Sequence, residues 1–223
     1  MAPTYPPLPP RDDLLALFRA AVSNAKDLLG DAQVLADVGR FPRALALAAL
    51  SWEELSKGYL CLLAVALPEI TPEYFCEGFR DHEDKLSRVH AVATFMQPEP
   101  VGPLADYPKQ IMGRSKSMAK QKLRSLYVDY RGGKIQLPSQ ISQRAARKQI
   151  NFVREALAFT DTAFPTDSLD DAFAQLNLLF GGLKNAMIAD PDATAAALQV
   201  AVRDGSQEEI QALVLRYATI TDD

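Results

Sequence analysis

A short charged motif near the middle of the chain has the residue types that acid–base and phosphate chemistry require. In Arg80-Asp-His82-Glu-Asp-Lys85, a helical spacing of three residues places His82 and Lys85 on one face. A histidine beside a lysine can serve as a general base next to a phosphate-binding cation, with Arg80 as a further binding group. The alternative, that these side chains are solvated on a charged helix face, stays open.

A second motif, Trp52-Glu53-Glu54-Leu55-Ser56-Lys57, places three charges in the middle of an apolar helix. Glu53 and Glu54 can both reach Lys57 at helical spacing, so a local ion pair on an exposed strip is one interpretation. Adjacent residues point about 100° apart on a helix, however, so at least one glutamate should lie near the core-facing surface. Such a carboxylate would be available for polar recognition.

A third segment joins basic residues to aromatic ones, in Lys122-Leu-Arg-Ser-Leu-Tyr127-Val-Asp129-Tyr130. This composition suits single-stranded RNA, because cations hold phosphates while aromatic rings stack on bases. Packing of Tyr127 and its neighbours onto the rest of the fold is the structural alternative.

Charge is unevenly distributed along the chain. Between Lys109 and Arg154 there are twelve Lys or Arg residues and one acid, Asp129, a formal charge of +11. The net charge of the chain is −4, so the rest of the chain carries −15. A basic surface of this kind concentrates polyanions, which makes nucleic acid a candidate partner. Alternatively, the basic segment packs against the acidic tail, Asp161 to Asp223, which has eleven acids and three bases.

The elements that position these residues are almost entirely helical. Apolar residues recur at three- and four-residue steps through most of the chain, and Gly39 with Pro42 separates the first two long helices into an antiparallel hairpin. Further helices are predicted from Thr71 to Met96, with a possible break near Gly78, and from Gln110 to Leu126. Residues Tyr127–Leu137, with glycines at 132 and 133, predict a small hairpin or extended flap. A helix capped by Ser139 or Ser142 then runs to Phe164, and three shorter ones follow.

Composition and cysteine content narrow the class of protein. The chain is 48% hydrophobic and 23% charged, as in an ordinary globular protein. Its apolar runs are too short to span a membrane and its start lacks the pattern of a signal peptide, so we expect a cytoplasmic protein. Cys61 and Cys76 form no metal-binding pair and are expected to be buried, reduced thiols. We predict a Pro-rich arm over residues 1–10, a helical bundle over 11–165 and an acidic helical extension over 166–223.

Taken in order, the three motifs resemble those of the AbiV abortive-infection family within the HEPN superfamily. The resemblance rests on EExxK at Glu53–Lys57, HxxK at His82–Lys85 and KxxxLYVD at Lys122–Asp129, with the Gly39–Ala44 entry into the second helix. It implies an all-α, HEPN-like antiparallel bundle. It also implies a phage-defence effector that acts on RNA or translation, since several members of the superfamily are metal-independent ribonucleases, often as dimers.

Under this hypothesis, His82 is the base and Lys57, Lys85 and Lys122 stabilise charge on phosphate, while Glu53 or Glu54 orients these cations. No metal or cofactor is expected, and a di-metal carboxylate site is disfavoured because Lys57 stands where its histidine would be. RNA, a phage or host protein trigger and a second copy of the chain are the expected partners. Whether the chain is an enzyme stays open, since a non-catalytic sensor that binds a partner or small ligand through the same residues is the alternative.

Overall fold

The computed structural model describes residues 4–67, 70–80 and 107–165, together with residues 85, 169, 190–192, 194, 196–197 and 200. The predicted third helix beyond Arg80 lies outside the described residues except at Lys85. So does most of the predicted acidic extension after Pro165.

The described part is an all-α bundle with one small hairpin, as the sequence predicts. The helices are α1 (Arg11–Asp37), α2 (Phe41–Ala66), α3 (Pro72–Arg80), α4 (Tyr107–Leu126) and α5 (Gln143–Ala163). Between α4 and α5 lie β1 (Asp129–Arg131), β2 (Lys134–Gln136) and a short 3-10 helix (Pro138–Gln140). Within these residues, no helix is both long and apolar enough to cross a membrane.

Helices α1 and α2 form the predicted antiparallel hairpin and bury most of the core between them. The turn uses Gly39 at a φ of +77°, where a side chain would be strained, and Arg40 N–H donates to Leu35 O at 2.8 Å to close the end of α1. Along the interface, Ser51 Oγ donates to Ala25 O at 2.6 Å. Gly58 faces the ring of Phe18, which an added Cβ would approach to 3.2 Å. This close contact fixes the rotation of α2 and therefore which of its residues face α4 and α5.

Helix α5 packs across α2 and begins as predicted at Ser142, whose Oγ accepts a hydrogen bond from Ala145 N at 3.2 Å. Trp52 on α2 is completely buried and stacks on Phe152 of α5, with ring centroids 4.3 Å apart. Farther along, Tyr59 Oη and Thr160 Oγ1 share a hydrogen bond of 2.8 Å. These contacts hold α5 against the middle and the second half of α2.

The hairpin after α4 is the predicted flap. Its strands pair Asp129 with Gln136 and Arg131 with Lys134, and the two turn residues, Gly132 and Gly133, have φ of +59° and +76°. Positive φ at both positions is the geometry that a two-residue hairpin turn favours, which explains the glycine pair.

The predicted burial of both cysteines needs correction. Cys76 is only half-buried, whereas Cys61 is 1% exposed. Helix α3 is short and buries only Phe75 and Gly78, which leaves Cys76 partly exposed. Helix α3 is continuous through Gly78 to Arg80, and residues 81–84, where the predicted helix would go on, lie outside the described residues.

The two thiols should react differently. Burial raises the pKa of Cys61 to about 12, so almost no thiolate forms at neutral pH. We expect a thiol reagent to label the native protein at Cys76 only, and both cysteines after unfolding, as counted by mass spectrometry. A Cys76→Ser variant should show no native labelling, and rapid labelling of that folded variant would contradict the packing of Cys61.

Candidate functional site

The site is built around the middle of α2. Glu53, Ser56 and Lys57 share one helix face by their spacing, and this face is directed toward α4 and Lys85. Glu53 is 3% exposed and Ser56 is fully buried. The expectation that at least one glutamate lies against the core is therefore confirmed for Glu53.

Glu53 forms a buried ion pair with Lys122 of α4. Lys122 Nζ donates to Glu53 Oε1, and the side chains are 4% and 8% exposed. The rotation of α2 turns Glu53 toward α4, so this partner comes from a distant part of the chain. Two charges removed from water are stable together only while each neutralises the other, so the pair fixes α4 against α2.

Glu54 and Lys57, on the same helix, form the predicted local ion pair at a spacing of three residues. Lys57 Nζ donates to Glu54 Oε1, and their side chains are 20% and 26% exposed. This pair is the part of the site that solvent, and therefore a ligand, can reach.

Lys85 completes the group of cations. It is 5% exposed, and its Nζ donates to the backbone oxygen of Phe79 at 3.0 Å. Burial lowers the pKa of Lys85, the charge of Glu53 opposes this shift, and the charges of Lys57 and Lys122 add to it. We call Glu53, Glu54, Lys57, Lys85 and Lys122 the polar cluster.

Ser56 adds an unsatisfied group beside the polar cluster. Its Oγ is buried, and no hydrogen-bond partner for it lies among the described residues. A buried hydroxyl without a partner typically lowers the stability of the fold by about 1–3 kcal/mol. Ser56 carries such a hydroxyl one helical turn from Glu53. Sequence reasoning missed Ser56, because a serine flanked by charges in a helix gives no signal of its own.

The polar cluster has three cations and two carboxylates, a formal excess of one positive charge. Such a site favours an anion and can stabilise negative charge that develops on it. Groups of three or more histidine, cysteine, aspartate or glutamate residues that could hold a metal are absent from the part of the chain that the structure describes.

The polar cluster contains residues from each of the three motifs, and a family comparison covers all three. A family model described as AbiV, of the HEPN type, matches residues 13–158. The chain belongs to the AbiV family. Searches of curated proteins and of solved structures gave no match. Membership places the chain among the abortive-infection proteins of phage defence, and the match spans α1 through most of α5.

Three other predicted site residues of this AbiV-family chain, Arg80, Tyr127 and Asp129, lie outside the polar cluster. Arg80 is exposed at the end of α3, near Tyr5 and Glu77, which are joined by a 2.7 Å hydrogen bond. Tyr127 is 62% exposed, and Asp129 accepts a hydrogen bond from Tyr130 N at 2.8 Å within the flap. His82 lies outside the described residues, so its role as a base stays a prediction.

Sequence reasoning also missed a cleft between α4 and α5. Its lining includes Arg114, Gln121, Arg144, Lys148 and Gln149, and its volume is about 570 Å³. The signal was present in the spacing, since residues 114, 117, 118 and 121 share one helix face, as do 145, 148, 149 and 152. The sequence does not show that these two faces oppose each other, because this depends on the tertiary packing.

Proposed function

We propose that this AbiV-family protein is a defence effector that binds and cleaves RNA without a metal, using the polar cluster as its active site. The observation that carries the proposal is the convergence of Lys57, Lys85 and Lys122 from three helical segments around Glu53 and Glu54. Bringing three cations together is unfavourable because they repel each other. Their arrangement beside the partly exposed pair of Glu54 and Lys57 therefore supports a site for a charged phosphate.

The polar cluster divides into an outer and an inner layer. Lys57, about a quarter exposed, is the cation that meets the scissile phosphate, and Glu54 holds its ammonium group in place. The inner pair of Glu53 and Lys122 is too buried to touch a polymer directly. It acts as a positioning pair. It holds α4 against α2 and sets the electrostatic potential around Lys57 and Lys85.

The proposed reaction uses His82 as the base and Lys57 as the phosphate-binding cation. His82 takes the proton from a ribose 2′-hydroxyl, and the oxygen attacks the neighbouring phosphorus. The bond from phosphorus to the 5′-oxygen breaks, and that oxygen takes a proton from solvent. The products are a 2′,3′-cyclic phosphate and a 5′-hydroxyl, while Lys57 stabilises the negative charge on the phosphoryl oxygens throughout.

The first test is in cells. Wild type, His82→Ala and Lys57→Met are expressed from a tight inducible promoter with and without phage infection, and growth and total RNA integrity are followed. We expect growth arrest and RNA degradation with wild type. Both variants should lose most of this activity, because loss of a general base or of a phosphate cation costs about 100-fold or more in rate.

The matched control is Lys26→Met, which removes an exposed lysine of α1 that lies outside the polar cluster and pairs with Asp161 at 2.7 Å. It should behave as wild type. Circular dichroism establishes that all variants are folded. Intact RNA during a wild-type growth arrest would exclude the ribonuclease and leave a different mode of arrest.

A non-catalytic sensor is the second candidate, and the burial of Glu53 and Lys122 favours it. A satisfied pair at 4% and 8% exposure serves structure as readily as catalysis. In this case the exposed pair of Glu54 and Lys57 would bind a partner protein or small ligand. His82→Ala would then leave the growth phenotype intact, while Lys57→Met would weaken it.

A further inference from the structure

The cleft between α4 and α5 is a second concentration of positive charge. Its cations are Arg114 from α4 and Arg144 and Lys148 from α5, and none of them has an ion-pair partner within the described residues. No carboxylate is among the described residues that line it. Three unneutralised cations around one depression repel each other, and an anion relieves this repulsion.

A buried amide in the same cleft also lacks a partner. The Nε2 atom of Gln149 is inaccessible to solvent, and no hydrogen-bond acceptor for it lies among the described residues. A buried donor that is left unpaired is unfavourable in the free protein, and a ligand oxygen placed against it would remove this cost. Across the cleft, α4 contributes the hydroxyl of Ser117 and the amide of Gln121.

From these observations we infer that the cleft lined by Arg114, Arg144, Lys148 and Gln149 binds the phosphate backbone of single-stranded RNA. Guanidinium and amide groups are typical donors to phosphate oxygens. A cleft of about 570 Å³ takes a piece of flexible strand, whereas a duplex is rigid and wide. The choice of RNA rests on the proposed function, and the cleft is a separate binding surface from the polar cluster.

The test measures binding apart from cleavage. The probe is a fluorescein-labelled 20-nucleotide RNA with a 2′-O-methyl group on every ribose, which cannot undergo attack by a 2′-hydroxyl. Its Kd is measured by fluorescence anisotropy for the full chain and for the triple variant R114Q/R144Q/K148Q. We expect the triple variant to raise the Kd about tenfold or more, and to make the slope of log K against log salt less steep by about 2.

The matched control is K116Q/K120Q/R147Q, which removes the same charge from exposed positions on the same two helices but outside the cleft. Its Kd should rise less than about threefold, since only the general field changes. A second variant, Gln149→Met, should raise the Kd severalfold while raising Tm, because it removes an unpaired buried donor. A merely structural glutamine would instead lower Tm when replaced.

Equal weakening by the two triple variants would overturn the cleft and leave a diffuse basic surface. Absence of RNA binding by wild type would overturn it too, as would stronger competition by polyglutamate than by unlabelled RNA. If binding depends on the cleft while wild type leaves cleavable RNA intact, only the catalytic proposal fails. If wild type cleaves RNA and the cleft variant binds the probe normally, only the cleft proposal fails.

Discussion

Glu53→Gln is expected to lower the free energy of unfolding by about 3–5 kcal/mol, the usual loss when one partner of a buried ion pair is removed. The substitution leaves Lys122 at 7% exposure and Lys85 at 5% exposure without the carboxylate that neutralises them. Lys122→Met should cost less, because Lys85 also interacts with Glu53 and keeps that carboxylate partly neutralised. Urea unfolding followed by circular dichroism measures both changes.

The exposed pair provides the matched control, because it has the same residue types on the same helix. Glu54→Gln and Lys57→Met should each change the free energy of unfolding by no more than about 1 kcal/mol, as is usual for solvent-accessible pairs. The double variant Glu53→Gln with Lys122→Met should cost less than the sum of the single ones. A loss for Glu53→Gln as small as that for Glu54→Gln would show that the buried pair does not organise the site.

Trp52→Ala is expected to have an effect of similar size, about 3–5 kcal/mol. The indole is fully buried and stacked on Phe152, with an angle of 23° between the ring planes. Truncation leaves a cavity between α2 and α5 and removes an aromatic contact that itself contributes about 0.5–1.5 kcal/mol. Trp52→Phe keeps a ring in this place and should lose less than half as much.

Circular dichroism is the appropriate measurement here, since Trp52 is the chain's sole tryptophan and its replacement removes the fluorescence signal. A loss below about 1 kcal/mol for Trp52→Ala would mean that α2 and α5 are held together elsewhere. Because Trp52 immediately precedes Glu53, the same variant should also disturb the polar cluster.

The helices and the flap follow from local sequence, and this is why they were predictable. The apolar periodicity of α1 and α2, the Ser142 cap and the paired glycines at 132 and 133 each fix a backbone conformation within a few residues. The start of α4 differs from the prediction, because the helix begins at Tyr107 rather than at Gln110. Prolines near a helix start disguise the boundary, because Pro108 is compatible with a first turn.

The partners of the charged residues were harder to predict. Local spacing offers Lys57 as a partner for Glu53, whereas the buried ion pair is formed with Lys122, 69 residues away. The sequence does not indicate this pair, because it depends on the packing of α4 against α2. The motifs nevertheless identified five residues that do meet, because the charges in apolar helices had to find partners of opposite sign.

The residues that line the cleft between α4 and α5 were also not predictable from local sequence. The charge count found the basic segment but not the few cations that face a common space. Arg114 and Lys148 are 34 positions apart, and the flap between them reverses the chain. Which faces of two helices oppose each other depends on the core residues, here Met118, Ala146 and Ile150.

The central claim is that the polar cluster cleaves RNA without a metal. The most direct measurement incubates purified wild-type protein and Lys57→Met with a defined single-stranded RNA in EDTA, and determines the product termini by mass spectrometry. We predict 2′,3′-cyclic phosphate and 5′-hydroxyl ends with wild type, and a rate about 100-fold lower with the variant. Cleavage that disappears in EDTA, or that Lys57→Met leaves unchanged, would contradict the account.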